Sequence, residues 1–172
     1  MKRLQWSGFF IGLVVLVAML ATLLVGPAAA APGSIDPDAA KDLAAARQAT
    51  AKYHDVEAAV ADGYAQTTGC VSHPVFGTQG IHYLKDALLD NFVTPTEPEI
   101  LVYIPTGADK LRLVAVEYAV PEGLVPPIPS LFGHEFHQPP SIPLFVLHAW
   151  VWQANPNGNF EDWNPNLSCP EP

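Results

Sequence analysis

Three residues interrupt apolar, β-branched stretches and carry groups able to bind a metal or move a proton. His82 lies in GIHYL (80–84), Glu117 in KLRLVAVEYAV (110–120) and His148 in LFVLHAWVW (144–152). Alternate residues of a strand share a face. Leu111, Leu113, Ala115, Glu117 and Ala119 are thus expected together, with Arg112, Val114, Val116, Tyr118 and Val120 opposite. Likewise Leu144, Val146, His148, Trp150 and Trp152 should oppose Phe145, Leu147, Ala149 and Val151. A carboxylate in such surroundings must be paired, hydrogen-bonded or metal-bound, because burying it alone is costly. Two imidazoles and a carboxylate on neighbouring strands form a donor set for a divalent transition metal, zinc or copper, with open coordination positions. The same set suits general acid/base work in a ligand pocket, with Trp150 in the wall. The structural alternative is that Glu117 merely pairs with one histidine, with Tyr83 or with a loop N–H.

Other candidates carry less. His134 and His137 in GHEFH sit three apart in a loop and can add a metal ligand. His54 and Glu57 share a helical face and read as a surface pair. His73, before Pro74, reads as a turn residue. Asn166-Leu167-Ser168 matches a glycosylation sequon, which matters only in a eukaryotic secretory pathway. The chain holds no G-x-S-x-G, H-E-x-x-H or phosphate-binding glycine loop, so common hydrolase and nucleotide-binding readings lose support.

The elements that must position these groups are legible in outline. Residues 34–64 show large and alanine side chains at helical spacing (Leu43, Ala46, Ala49, Tyr53, Val56, Val60), with Asp36 as N-cap, Pro37 in the first turn and Gly63 as the stop. This predicts one long amphipathic helix, with a kink or a late start as the alternative because its Ala-rich first half has few large anchors. Strands follow at 80–84, 99–105, 110–120 and 144–152, with TGAD (106–109) as a hairpin connection and a further short strand at 160–163. Residues 121–143 are too rich in proline for regular structure, yet carry Leu124, Ile128, Leu131, Phe132 and Phe136. They are expected to pack over the core or roof a pocket. The fold class expected is α+β: the long N-terminal helix packed on a curved antiparallel sheet or half-barrel of four to five strands, with one disulfide.

Compartment follows from the ends and the charge. Lys2 and Arg3 precede an apolar run from Gly8 to Val25 and the small-residue stretch GPAAAAPGS. Residues 1–30 therefore read as a secretory signal peptide cut after Ala30, leaving residues 31–172 as a single globular domain; retention as an anchor is the alternative. Without Lys2 and Arg3, six basic residues face 17 acidic ones. That balance argues against nucleic acid and, after cleavage, against a membrane partner, both of which select clustered Lys and Arg. It suits a secreted, periplasmic or extracellular protein whose partner is a small molecule or metal ion. Cys70 and Cys169 have one possible pairing in an oxidising compartment, closing a loop of about 100 residues. Two separate thiols, or a metal thiolate, are the alternatives.

KYHDVEAAVADGY (52–64), GIHYL (80–84), LVAVEYAVP (113–121), SLFG (130–133) and LHAWVWQANPNGNFEDWNPNLSC (147–169) together resemble a group of exported bacterial proteins of unknown function. The resemblance spans nearly all of the chain after residue 30, and its C-terminal segment is the most specific part. It implies a secreted single domain and no particular reaction. A structural or protein-interaction module without a ligand site is the competing functional class.

Overall fold

Asp36 caps the helix that follows it by accepting hydrogen bonds from the Asp38 and Ala39 amides at 2.9 and 3.4 Å. The computed structural model describes Met1 and residues 36–107 and 110–170; the expected signal peptide and its cleavage site lie outside the described residues. Helix α1 (Pro37–Thr50) is followed by a 3₁₀ turn (Ala51–His54) and helix α2 (Val56–Ala61). Strands β1 (Ala65–Gln66), β2 (Val71–His73), β3 (Gly77–Leu84), β4 (Ile100–Gly107) and β5 (Lys110–Pro121) come next. The short β6 (Ser130–Leu131) and β7 (His134–Glu135) precede β8 (Leu144–Ala149).

The long helix is therefore corrected to two helices. Asp55 adopts an extended backbone and its carboxylate accepts the Glu57 amide at 3.1 Å, so it acts as a second N-cap and restarts the helix. Gly63 supplies the left-handed stop, with φ of 96°. Ala39, Leu43, Ala46 and Thr50 form the buried stripe of α1.

The sheet runs β1-β3-β4-β5-β8, all antiparallel, with β2 also paired to β3. The two-residue β1 and three-residue β2 fall where the sequence suggested loop, and no strand forms at 160–163. One face carries Tyr83, Leu101, Tyr103, Leu113, Val116, Tyr118, Val120 and Leu147 against the helices. The other carries Ile100, Val102, Ile104, Val114, Ala115, Ala119, Val146 and Trp150. Burying each such aliphatic side chain is worth roughly 1.5–3 kcal/mol.

Strict alternation fails at one point on β5. Val102 pairs with Ala115 but Tyr103 pairs with Leu113, so Val114 is an extra residue in the ladder. Val114 and Ala115 both join the second face, and Leu111 and Leu113 move to the helix side, away from Glu117. Trp152 also departs from expectation. It lies beyond the end of β8 and packs on the helix side, where its Nε1 donates to Thr50 Oγ1.

The proline-rich segment covers the helix-side core, not the opposite face. Phe132 and Phe136 are buried there, with Val125 and Leu131 packed against them. Phe132 and Gly133 form the two-residue turn between β6 and β7, both with positive φ (54° and 79°). Phe132 accepts that conformation while its ring packs on Tyr118 and Phe160. The second face is instead covered by Cys70, Leu89 and Leu167. Cys70 and Cys169 form the expected disulfide, 99 residues apart in sequence.

The C-terminal segment is ordered by two Asn-Pro-Asn turns. Asn155 and Asn164 each accept, through Oδ1, the amide two residues on, at 3.1 and 3.0 Å. Asn164 exchanges backbone hydrogen bonds with Thr78 at 3.1 Å in both directions. A Cβ at the neighbouring Gly77 would stand 2.4 Å from the Asn164 carbonyl oxygen. Only glycine allows the segment to approach so closely.

Candidate metal centre

Glu117 and His148 are direct cross-strand partners in the β5–β8 ladder. On the other side Glu117 pairs with Ile100, while His82 pairs with Val102 two residues along β4. His82 thus approaches Glu117 diagonally, over β4. Ala115 and Ala119, which flank Glu117 on this face, leave the volume into which the longer side chains converge.

Glu117 Oε2 lies 3.5 Å from His82 Nε2, and Oε1 lies 3.7 Å from His148 Nδ1. The two imidazoles stand 6.1 Å apart between centroids and nearly perpendicular, at 85°. One donor atom from each of the three residues falls within 4.8 Å of the others. At bond lengths near 2.1 Å, tetrahedral ligand atoms stand about 3.4 Å apart. Each Glu–His separation, taken from a different carboxylate oxygen, approaches that spacing, and with the three donors within 4.8 Å of one another the group could hold a metal ion once the side chains shift inward.

All three side chains are buried, His148 completely. Neither His148 nitrogen has a hydrogen-bond partner among the described residues, since Glu117 stands beyond hydrogen-bond length. A buried polar group left unpaired costs about 1–3 kcal/mol. Trp150 packs beside it, with ring centroids 4.9 Å apart and the planes tilted by 30°, and its own Nε1 donates to the Glu161 carbonyl. Burial works to raise the Glu117 carboxyl, but the adjacent His148, and after it His82, outweigh that and hold the group below its usual range. Burial pushes the His82 imidazole down, against the opposing pull of Glu117. A carboxylate beside a neutral His82 is the protonation state that metal ligation requires.

His82 is further held from behind. Thr68 Oγ1 lies 3.0 Å from His82 Nδ1 and accepts the His82 backbone N–H at 3.0 Å. Thr68 is a site residue that the sequence did not reveal, because a threonine in a loop carries no periodic signal. Glu99 was also missed. It is buried on the helix side, where it accepts the Ala119 amide at 3.0 Å past the end of β4, and burial pushes its carboxyl up to about 8. The charged head of the strand EILVYIP was the available clue.

The remaining candidates lie elsewhere. His137 pairs through Nε2 with Asp162 at 3.0 Å, and the exposed His134 packs its ring on Phe160, so neither joins the three-residue group. His54 packs edge-on against Trp152. His73 accepts the Val75 and Phe76 amides, as a turn residue should. Tyr83 donates to Gln66 on the helix side, which removes it as a partner for Glu117. A cavity of about 390 Å³ is lined by Arg47, residues 150–154 and Asn159, and shares only Trp150 with the expected ligand pocket.

Fold and site together define a disulfide-bonded α+β protein whose antiparallel sheet carries a buried two-histidine, one-glutamate group. No protein-family model matches the chain, and no curated protein or solved structure is significantly similar to it.

Proposed function

We propose that this is an exported protein that binds a divalent transition metal, zinc or copper, through His82, Glu117 and His148. The observation that carries the reading is His148: a fully buried imidazole whose two nitrogens have no partner among the described residues, beside a buried carboxylate. A metal ion would use one nitrogen as a ligand and compensate its desolvation. A purely structural cluster would leave that cost standing. Two imidazoles and one carboxylate suit zinc and copper, with copper(II) the tighter binder of the pair.

Export is supported by the signal-like N-terminal composition and by the disulfide, which persists in oxidising compartments. Among the described residues no helix is long and apolar enough to cross a membrane. The test is metal analysis of protein purified without a histidine tag, followed by titration with zinc and copper. One equivalent retained or bound at micromolar affinity or better supports the reading. A chain that binds neither metal, with the fold intact, returns the cluster to a structural role.

A further inference from the structure

Thr68 holds one member of the cluster at two points. Its hydroxyl oxygen takes the His82 backbone N–H and stands 3.0 Å from His82 Nδ1. Thr67 completes the grip, donating its amide and its hydroxyl to the His82 carbonyl at 2.9 and 3.2 Å. Cys70, two residues on, is tied covalently to Cys169. The segment behind His82 is therefore anchored independently of the ring it holds.

A hydroxyl has one hydrogen and two lone pairs. One lone pair is occupied by the His82 amide. In the metal-free protein the hydroxyl hydrogen can be given to Nδ1, which puts the ring proton on Nε2, toward Glu117. If Nε2 binds a metal, the neutral ring must carry its proton on Nδ1. The second lone pair of Oγ1 then accepts Nδ1–H while the hydroxyl hydrogen rotates away. No net charge changes, and one oxygen serves both tautomers. A carbonyl in its place could partner only the metal-bound form, and an aliphatic side chain neither.

We propose that Thr68 is a positioning residue of the metal centre: its hydroxyl orients the His82 ring and accepts the Nδ1 proton when Nε2 turns to the metal. The inference rests on the metal-binding reading above. Such outer partners of ligating histidines typically contribute about 10- to 100-fold in affinity.

Cobalt(II), whose visible absorption reports coordination, is titrated into wild type, Thr68→Val and Thr68→Ser. The valine variant should bind about 10- to 100-fold more weakly with an altered spectrum, and the serine variant should stay within about threefold of wild type. Nitrogen-15 spectra of the histidine rings provide a second readout that does not depend on the valine variant folding. On zinc binding to wild type, the His82 proton should move from Nε2 to Nδ1. Equal cobalt affinity and spectra for wild type and Thr68→Val, or a ring that stays protonated on Nε2 in the zinc form, would overturn the role of Thr68 alone. Failure of wild type to bind any of cobalt, zinc and copper overturns the metal reading itself, and this proposal with it.

Discussion

Glu117 and His148 stand opposite each other across the β5–β8 ladder, carboxylate oxygen 3.7 Å from imidazole nitrogen, with no hydrogen bond between them. The gap is too wide for a satisfied pair and close to the spacing of two ligands on one ion. Function and stability therefore pull apart at this position.

His148→Leu removes two unpartnered buried nitrogens and refills the space with apolar volume. In metal-free protein its cost should be below about 1 kcal/mol, because replacing an unsatisfied polar group with a well-packed hydrophobe is close to neutral. Metal binding should nevertheless be lost, as it should in Glu117→Ala, while His54→Ala retains it. Calorimetric titration with parallel urea melts checks both halves. Unchanged metal affinity in His148→Leu would remove His148 from the ligand set.

The pH dependence of stability has two arms of opposite cause. An unfolded chain takes up a proton on His82 near the ordinary imidazole value of 6.5, while burial keeps the folded ring neutral, so metal-free stability declines as pH falls through that region. Glu99 acts on the other side. Its folded value of about 8 lies above the ordinary carboxyl value of 4.5, so it favours the fold below 4.5 and that advantage is lost as pH rises through 8. Glu99→Gln stays neutral throughout. Its melting temperature should gain on wild type between pH 5 and pH 9, and a constant difference would show that Glu99 does not titrate as its burial requires.

Metal affinity should also weaken as pH falls through the histidine range, because a protonated imidazole cannot ligate. Zinc titrations at pH 7.5 and 5.5 should differ by more than tenfold.

The disulfide joins the segment behind His82 to the C-terminal strap. Replacing both cysteines with serine should destabilise the fold by up to ~4.7 kcal/mol in the chain-entropy view of a loop this long. Urea melts measure the loss, and intact mass should show the native chain two units lighter than its reduced form. Two titratable thiols in protein from an oxidising compartment would contradict the pairing.

Gly80 lies two residues before His82, with φ of 130°, and a Cβ there would stand 2.4 Å from the Tyr103 carbonyl oxygen. Gly80→Ala should cost several kcal/mol, from backbone strain and the broken approach of β3 to β4. Thermal melts check it. A Cβ at Gly69, by contrast, would face open space, and its alanine variant should be nearly silent.

Local chemistry by itself determined much of this protein. Period-two patterning marked Glu117 and His148 as the polar members of otherwise apolar strand faces, because each lies in a stretch where the ladder is regular around it. Asp36, Pro37 and Gly63 marked the limits of the helical region through capping rules that act within one turn. Two cysteines admitted one pairing. The failures all lie where a distant contact overrides a local rule. Asp55, equally able to sit in a helix or to cap one, breaks it while the Tyr53 carbonyl accepts the Tyr103 hydroxyl at 2.7 Å. Val114 bulges because the β4 register is set by hydrogen bonds to a strand outside its own sequence, and that one residue moved Leu111 and Leu113 to the other face. Trp152 continued an alternation that ends with the last ladder bond of β8. Only the tertiary structure brought His82 over β4 to Glu117 and set Thr68 behind it. A strand's periodicity states which face a side chain takes, whereas the meeting of three strands and a loop depends on register, twist and a covalent tie 99 residues long.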